Sequence, residues 1–215
     1  MLKKKNFISA TIFLLLFILW TVAVKFIDVR AIGPQATSVG FAKLNRLAHN
    51  LTGVNFTLYN ITDWLGLVPL AVCVGFGILG FIQLVRRKSI LKVDYDILAL
   101  GGFYIVVIAI YLLFEMLVIN YRPVLINGAL EVSYPSSTTM LVMSIMPTSI
   151  MQFNARIKSG VLKRCLTIII IAFIVFVVGG RLVSGVHWLS DIIGGAILSA
   201  GLVLMYGSIS GLNKK

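Results

Sequence analysis

Charged side chains are what this 215-residue sequence has least of: they make up 12% of it, against about a quarter in an ordinary soluble domain. Acidic residues are the scarcer kind, 7 against 19 Lys and Arg. A chain so poor in charge and 59% hydrophobic is neither a disordered segment nor a cytosolic enzyme. Its two cysteines, Cys73 in an apolar run and Cys165 in a basic one, make no disulfide framework and no metal-ligand spacing. Internal repeats, low-complexity tracts and linker-like composition shifts are also missing, so a single domain over 1–215 is expected. What remains is an integral membrane protein.

A hydrocarbon core of about 30 Å takes about 20 apolar helical residues. Six stretches approach this: 7–24, 65–85, 97–119, a more polar 136–153, 166–183 and 188–206. They are continuous rather than alternating, which favours helices over strands. Lys3, Lys4 and Lys5 ahead of the first run suit a signal peptide as well. The run is long and no small-x-small site follows, so a retained span is expected.

The formal charge of +12 suggests nucleic acid until the charges are placed. Lys3, Lys4, Lys5, Arg86, Arg87, Lys88, Lys92, Arg156, Lys158, Lys163, Arg164, Lys214 and Lys215 fall on one side of the spans. Lys25, Arg30, Lys43, Arg46, Arg122 and Arg181 fall on the other. The positive-inside rule then puts both termini and two basic loops in the cytoplasm, and the high pI reflects topology, with no nucleic-acid partner. In the long outer connection, 28–62, Phe41, Leu44, Leu47, Leu51, Val54 and Leu58 recur at three- and four-residue steps. That pattern reads either as a helix lying in the outer interface or as a loop packed on the bundle. The predicted fold is an all-α, six-span membrane bundle.

Charges inside a bilayer cost about 2.5–3.5 kcal/mol each on insertion scales, so Glu115, Arg122, Arg181 and Asp191, in or beside the outer halves of spans, stand out. His187 precedes Asp191 by four residues, one turn on a shared helix face. A carboxylate there can hold one imidazole nitrogen and leave the other as a base, nucleophile or ligand. Arg181, six residues before His187, would face away on a continuous helix, but Gly179, Gly180, Ser184 and Gly185 permit a turn that brings both to one point. Pro123 after Arg122 favours a rigid, extended exit from the third span. Two arginines with a carboxylate-oriented histidine describe a phosphate site, because guanidinium forks match phosphate oxygens and imidazole can attack phosphorus. Plainer roles stand beside this one: interfacial anchoring for His187 and His49, snorkelling for Arg181, and a Glu115–Arg122 pair two turns apart.

These residues resemble the type 2 phosphatidic acid phosphatase family, which shares its site with the vanadium haloperoxidases. The family's motifs are KxxxxxxRP, PSGH and SRxxxxxHxxxD. They are matched by Arg122 and Pro123, by Pro135 and Ser136, and by Arg181, His187 and Asp191, over roughly 104–206. The resemblance implies that His187 takes the phosphoryl group as phosphohistidine and that Asp191 orients it. Arg122 and Arg181 would hold the phosphate oxygens with help from Ser136 and the amides after Pro135, and neither metal nor other cofactor is required. Four positions depart from the pattern: Glu115 fills the Lys slot, Gly180 the Ser slot, Ser137 the Gly slot, and Thr138 replaces the histidine that protonates the leaving group.

Loss of a general acid commonly costs about 10²–10⁴-fold. The cost is smaller for an acidic leaving group, which tilts the expected substrate towards diphosphates, with Glu115 or Glu131 as candidate replacement acids. The expectation is a phosphatase of the cell membrane acting on a lipid phosphate or diphosphate at the outer face. The alternative is a catalytically impaired relative that binds or moves anionic phospholipids. A solute transporter fits less well, given the missing repeat and the clustering of polar groups on one side.

Overall fold

The computed structural model describes residues 2–212; Lys214 and Lys215, expected on the cytoplasmic side, lie outside the described residues. The chain forms α1 (Leu2–Phe26), a two-strand hairpin of β1 (Arg30–Ala31) and β2 (Ser38–Val39), α2 (Ala42–Thr52), α3 (Phe56–Leu65), α4 (Leu67–Arg87), α5 (Tyr95–Met116), α6 (Ser137–Arg156), α7 (Gly160–Val183) and α8 (Leu189–Ile209). The hairpin is antiparallel, with Arg30 opposite Val39.

Among the described residues five helical runs are long and apolar enough to cross a membrane: α1, α3 continued by α4, α5, α7 and α8. Their outward faces are apolar, as at Phe81, Ile105 and Val175, the pattern of a surface bathed in lipid rather than water. The stretch expected as the fourth span, α6, is not among the five. Its Thr138, Thr139, Ser144, Thr148, Ser149 and Gln152 are all buried. Position explains the composition, because α6 packs against α4, α5, α7 and α8, so its polar groups meet protein rather than hydrocarbon. Ser144 Oγ donates to Ser199 Oγ at 3.1 Å, Ser199 Oγ to Met140 O at 3.1 Å, and Gln152 Nε2 to Asp96 O at 3.2 Å.

α8 is the other buried helix, and α1 lies antiparallel along it. Trp20 Nε1 donates to Ser190 O at 3.1 Å near one end, and Leu14 presses on Gly201 further along, where an added Cβ would come within 2.9 Å of its Cδ2. Gly194 likewise makes room for the Tyr134 ring.

The long connection between α1 and α4 is mostly helical after its hairpin. α2 turns Leu47 and Leu51 outward while Asn45 is buried, and α3 runs into α4 through Gly66. Asn55, one of three Asn-x-Thr positions, caps α3 by accepting from Leu58 N at 2.9 Å. α7 starts six residues before the predicted apolar run, because Ser159 caps it and carries Lys163 and Arg164 into the helix.

Charged groups gather at both ends of the bundle. At one end Arg87 pairs with Asp94 at 2.7 Å and Arg156 with Asp96 at 2.7 Å, tying the α4–α5 link to the end of α6. At the other end the connection after α5, the start of α6 and the α7–α8 link meet beneath α3.

Candidate active site

The α7–α8 link does what its glycines suggested. α7 ends at Val183, Ser184 N donates back to Gly180 O at 2.8 Å, and Gly185 takes φ +64, a left-handed turn that glycine makes without steric cost. An added Cβ at Gly185 would lie 1.7 Å from Gly53 O, so the turn also nests against the α2–α3 link. The reversal sends the His187 ring back towards Arg181. Arg122 arrives from the α5–α6 connection, where Tyr121 pairs with Val132 in an antiparallel bridge and Arg122 N donates to Glu131 O at 2.9 Å.

Arg122 Nη1 lies 2.8 Å and Arg181 Nη2 2.9 Å from the same atom, His187 Nε2. Guanidinium groups only donate, so Nε2 is the acceptor and the ring proton sits on Nδ1. All three side chains are buried, Arg181 completely. Burial, and then the two guanidiniums, hold the His187 imidazole well below its ordinary value of 6.5, which keeps it neutral.

Two like charges converging on one nitrogen repel, and each is balanced from outside. Glu131 Oε2 lies 3.0 Å from Arg122 Nε, and Asp63 Oδ1 3.2 Å from Arg181 Nη1. The Tyr59 ring faces both, with centroid distances of 5.6 Å to Arg122 Cζ and 4.7 Å to Arg181 Cζ. The result is a pair of aimed cations with a neutral imidazole between them, a cradle for a tetrahedral anion.

The helix-face reading of His187 and Asp191 needs correction. α8 begins at Leu189, so His187 precedes the helix and Nδ1 stands 3.9 Å from Asp191 Oδ2. Asp191 instead closes the first turn of α8 by accepting from Trp188 N at 3.0 Å, and it accepts from Asn120 Nδ2 at 3.2 Å. The carboxylate is fully buried. Interfacial anchoring of His187 and Trp188 is likewise ruled out, since both are buried and Trp188 Nε1 donates to Tyr121 O at 2.7 Å.

Ser136 caps α6, its N donating to Asp191 O at 3.1 Å and its Oγ accepting from Thr139 N at 3.5 Å. This brings the amide-rich start of α6 beside the first turn of α8. The Glu115–Arg122 pair does not form; Arg122 takes Glu131 instead, and Glu115 stays exposed at the end of α5, in a small cleft shared with Tyr111, Ser133, Pro135 and Ser137. Gly180 has a packing reason: a Cβ there would stand 2.6 Å from Thr62 Cγ2, so a serine would push α3 off α7. Thr138 is buried against the α3–α4 junction, its Cγ2 3.3 Å from where a Gly66 Cβ would stand.

Sequence reasoning ran one helical pattern from Phe41 to Leu58 and missed what α3 brings to the site. Tyr59 and Asp63, one turn apart, form the wall that covers both arginines, and the signal for them was an acidic residue in a chain with only 7. It also missed Asn120 under Asp191, and Asn45, whose Nδ2 donates to Ser190 Oγ at 3.0 Å and whose Oδ1 accepts from Ser190 N at 3.0 Å.

A transmembrane PAP2-type phosphatidylglycerolphosphate phosphatase from Bacillus subtilis, known from its crystal structure, shares this fold at a TM-score of 0.59 and 19% identity, over 95% of this chain and 96% of that one. No curated protein matches significantly. The sequence profile of the PAP2 superfamily matches residues 7–213, a wider span than the motif-bearing 104–206. With the match running over nearly its whole length, the chain belongs to the PAP2 superfamily.

Proposed function

We propose that this protein is a single-domain, multi-pass phosphatase of the cell membrane that hydrolyses a lipid phosphate or diphosphate through a phosphohistidine at His187. The observation that carries this reading is the convergence of Arg122 Nη1 and Arg181 Nη2 on His187 Nε2. An incoming phosphoryl group takes over those N–H donors, which uncovers the Nε2 lone pair and aims it at phosphorus. Arg122, Arg181 and the amides at the start of α6 hold the oxygens, with Ser136 shaping that start as its cap. Asp191 stabilises the positive charge that the ring acquires on attack. Phosphoryl transfer asks for positioning and charge neutralisation above all, and this arrangement supplies both.

The site faces the outside in this reading. Arg86, Arg87, Lys88, Lys92, Arg156 and Lys158 flank the ends of α4, α5 and α6 opposite the arginine pair, where the positive-inside rule puts the cytoplasm. α6 then counts as the sixth span, both termini lie inside, and α2 lies at outer headgroup depth with the lipid phosphates. Membership of the PAP2 superfamily and the fold shared with a phosphatidylglycerolphosphate phosphatase support a lipid phosphate as substrate.

Purified protein should release phosphate from short-chain lipid monophosphates or diphosphates, and His187→Ala should abolish the release. Equal turnover by the two proteins would overturn the proposal. Thr138, which cannot titrate near neutral pH, favours a second reading in which the chain binds anionic lipids without turnover. Phosphate release by the wild type rejects that one.

A further inference from the structure

We propose that Asp63, on α3, is the proton donor that Thr138 cannot be; the inference rests on the phosphatase reading. Three observations place it. Its Oδ1 pairs with Arg181 Nη1, while Nη2 of the same guanidinium reaches His187 Nε2. The carboxylate is therefore one guanidinium's width from the attacking nitrogen, beside the oxygens of any phosphate that fork would hold. Its backbone carbonyl and the Thr138 side chain crowd the same point, within 2.8 and 3.3 Å of where a Gly66 Cβ would stand, so the turn of α3 that carries Asp63 packs beside Thr138. And 54% of the Asp63 side chain is exposed although Arg181 beside it is sealed, so Asp63 is the member of the pair that the surroundings reach.

The other groups around it fit the role less well. Glu131 pairs with Arg122 on the far side of His187. Glu115 opens instead onto the cleft it shares with Ser133 and Pro135 at the end of α5. Once phosphate oxygens take the guanidinium, Asp63 is released from that partner and is free to turn to the leaving oxygen.

The cycle balances. The His187 Nε2 lone pair bonds to phosphorus as the bond to the lipid oxygen breaks, and that oxygen takes the Asp63 proton and leaves as the alcohol. Water then attacks phosphorus and gives its proton to the Asp63 carboxylate, while the P–N bond returns its electrons to the ring. Inorganic phosphate departs, and Asp63 is protonated again.

The test is leaving-group dependence in the full-length protein, using dioctanoyl phosphatidic acid and p-nitrophenyl phosphate. Nitrophenolate leaves without a proton, so Asp63→Asn should lower kcat/KM, which reports the phosphorylation half-reaction, by about 10²–10⁴-fold on the lipid and by about tenfold at most on the nitrophenyl ester, through the loosened Arg181. Glu131→Gln should lower both to the same degree. An equal loss of kcat/KM on both substrates in Asp63→Asn, or no loss on the lipid, overturns the assignment while leaving the phosphatase reading intact. Absence of His187-dependent turnover of both substrates in the wild type overturns the phosphatase reading, and this assignment with it.

Discussion

The Arg181 guanidinium carbon stands 4.7 Å from the ring centroid of Tyr59. One aromatic face thus steadies a cation that is fully buried and has another cation, Arg122, beside it. A desolvated contact of this kind is worth about 2 kcal/mol. Tyr59→Leu keeps most of the apolar bulk and removes the π face. Inhibition by inorganic phosphate should weaken about tenfold, read as a rise in Ki; an unchanged Ki contradicts the role given to α3.

Asp191→Asn separates charge from shape. Asn fits the same space, but its amide sets a donor against either Trp188 N–H or Asn120 Nδ2, which now donate to the two carboxylate oxygens. We expect kcat to fall about 10²–10⁴-fold with KM little changed, and stability to drop by about 1–3 kcal/mol. Steady-state kinetics with thermal unfolding in detergent reads both.

The depressed His187 pKa has a sign that can be worked out. At any pH below the ordinary 6.5 but above its folded value, the unfolded chain binds a proton that the folded chain does not, so stability falls as pH drops through that window. Wild type should lose thermal stability between pH 7.5 and 5.5 by more than His187→Asn does. The nucleophile of the free site also stays neutral there, so His187 protonation should not produce an acid limb near pH 6.5 in kcat/KM. Such a limb, with the His187 imidazole seen by NMR to titrate near 6.5 in the same protein, would contradict the assignment.

Gly185→Ala tests the turn that folds His187 back on Arg181. At φ +64 with Gly53 O 1.7 Å from the new Cβ, alanine meets both backbone strain, about 1–3 kcal/mol, and a clash. Folded yield and activity should both collapse. Gly179→Ala, whose Cβ meets nothing within 4 Å, should be tolerated. Equal behaviour of the two variants would show that the turn does not set the site.

Much of this was legible in advance, for identifiable reasons. Lipid contact demands unbroken apolar faces, so α1, α5, α7 and α8 stand out by composition, and Arg122, Arg181, His187 and Asp191 stand out because charge and imidazole are expensive at those depths. The central α6 was harder to place, since Thr148, Ser149 and Gln152 take their partners from neighbouring helices that no local pattern reveals. The four-residue step from His187 to Asp191 suggested a helical face, and the α8 boundary at Leu189 turned it into a cap. The role of α3 was hidden for another reason: Leu47, Leu51 and Leu58 dominate the periodicity of the 28–62 connection, while Tyr59 and Asp63 gain meaning only when Thr62 packs on Gly180.

The account turns on His187 Nε2 becoming bonded to phosphorus. Wild-type protein mixed with short-chain lipid phosphate, quenched in base within the first turnovers and digested for peptide mass spectrometry, should carry one phosphoryl group on His187. The adduct should be acid-labile and absent from both His187→Ala and a substrate-free control. Turnover with no phosphorylated His187 at any quench time, or the label on another residue, would contradict it.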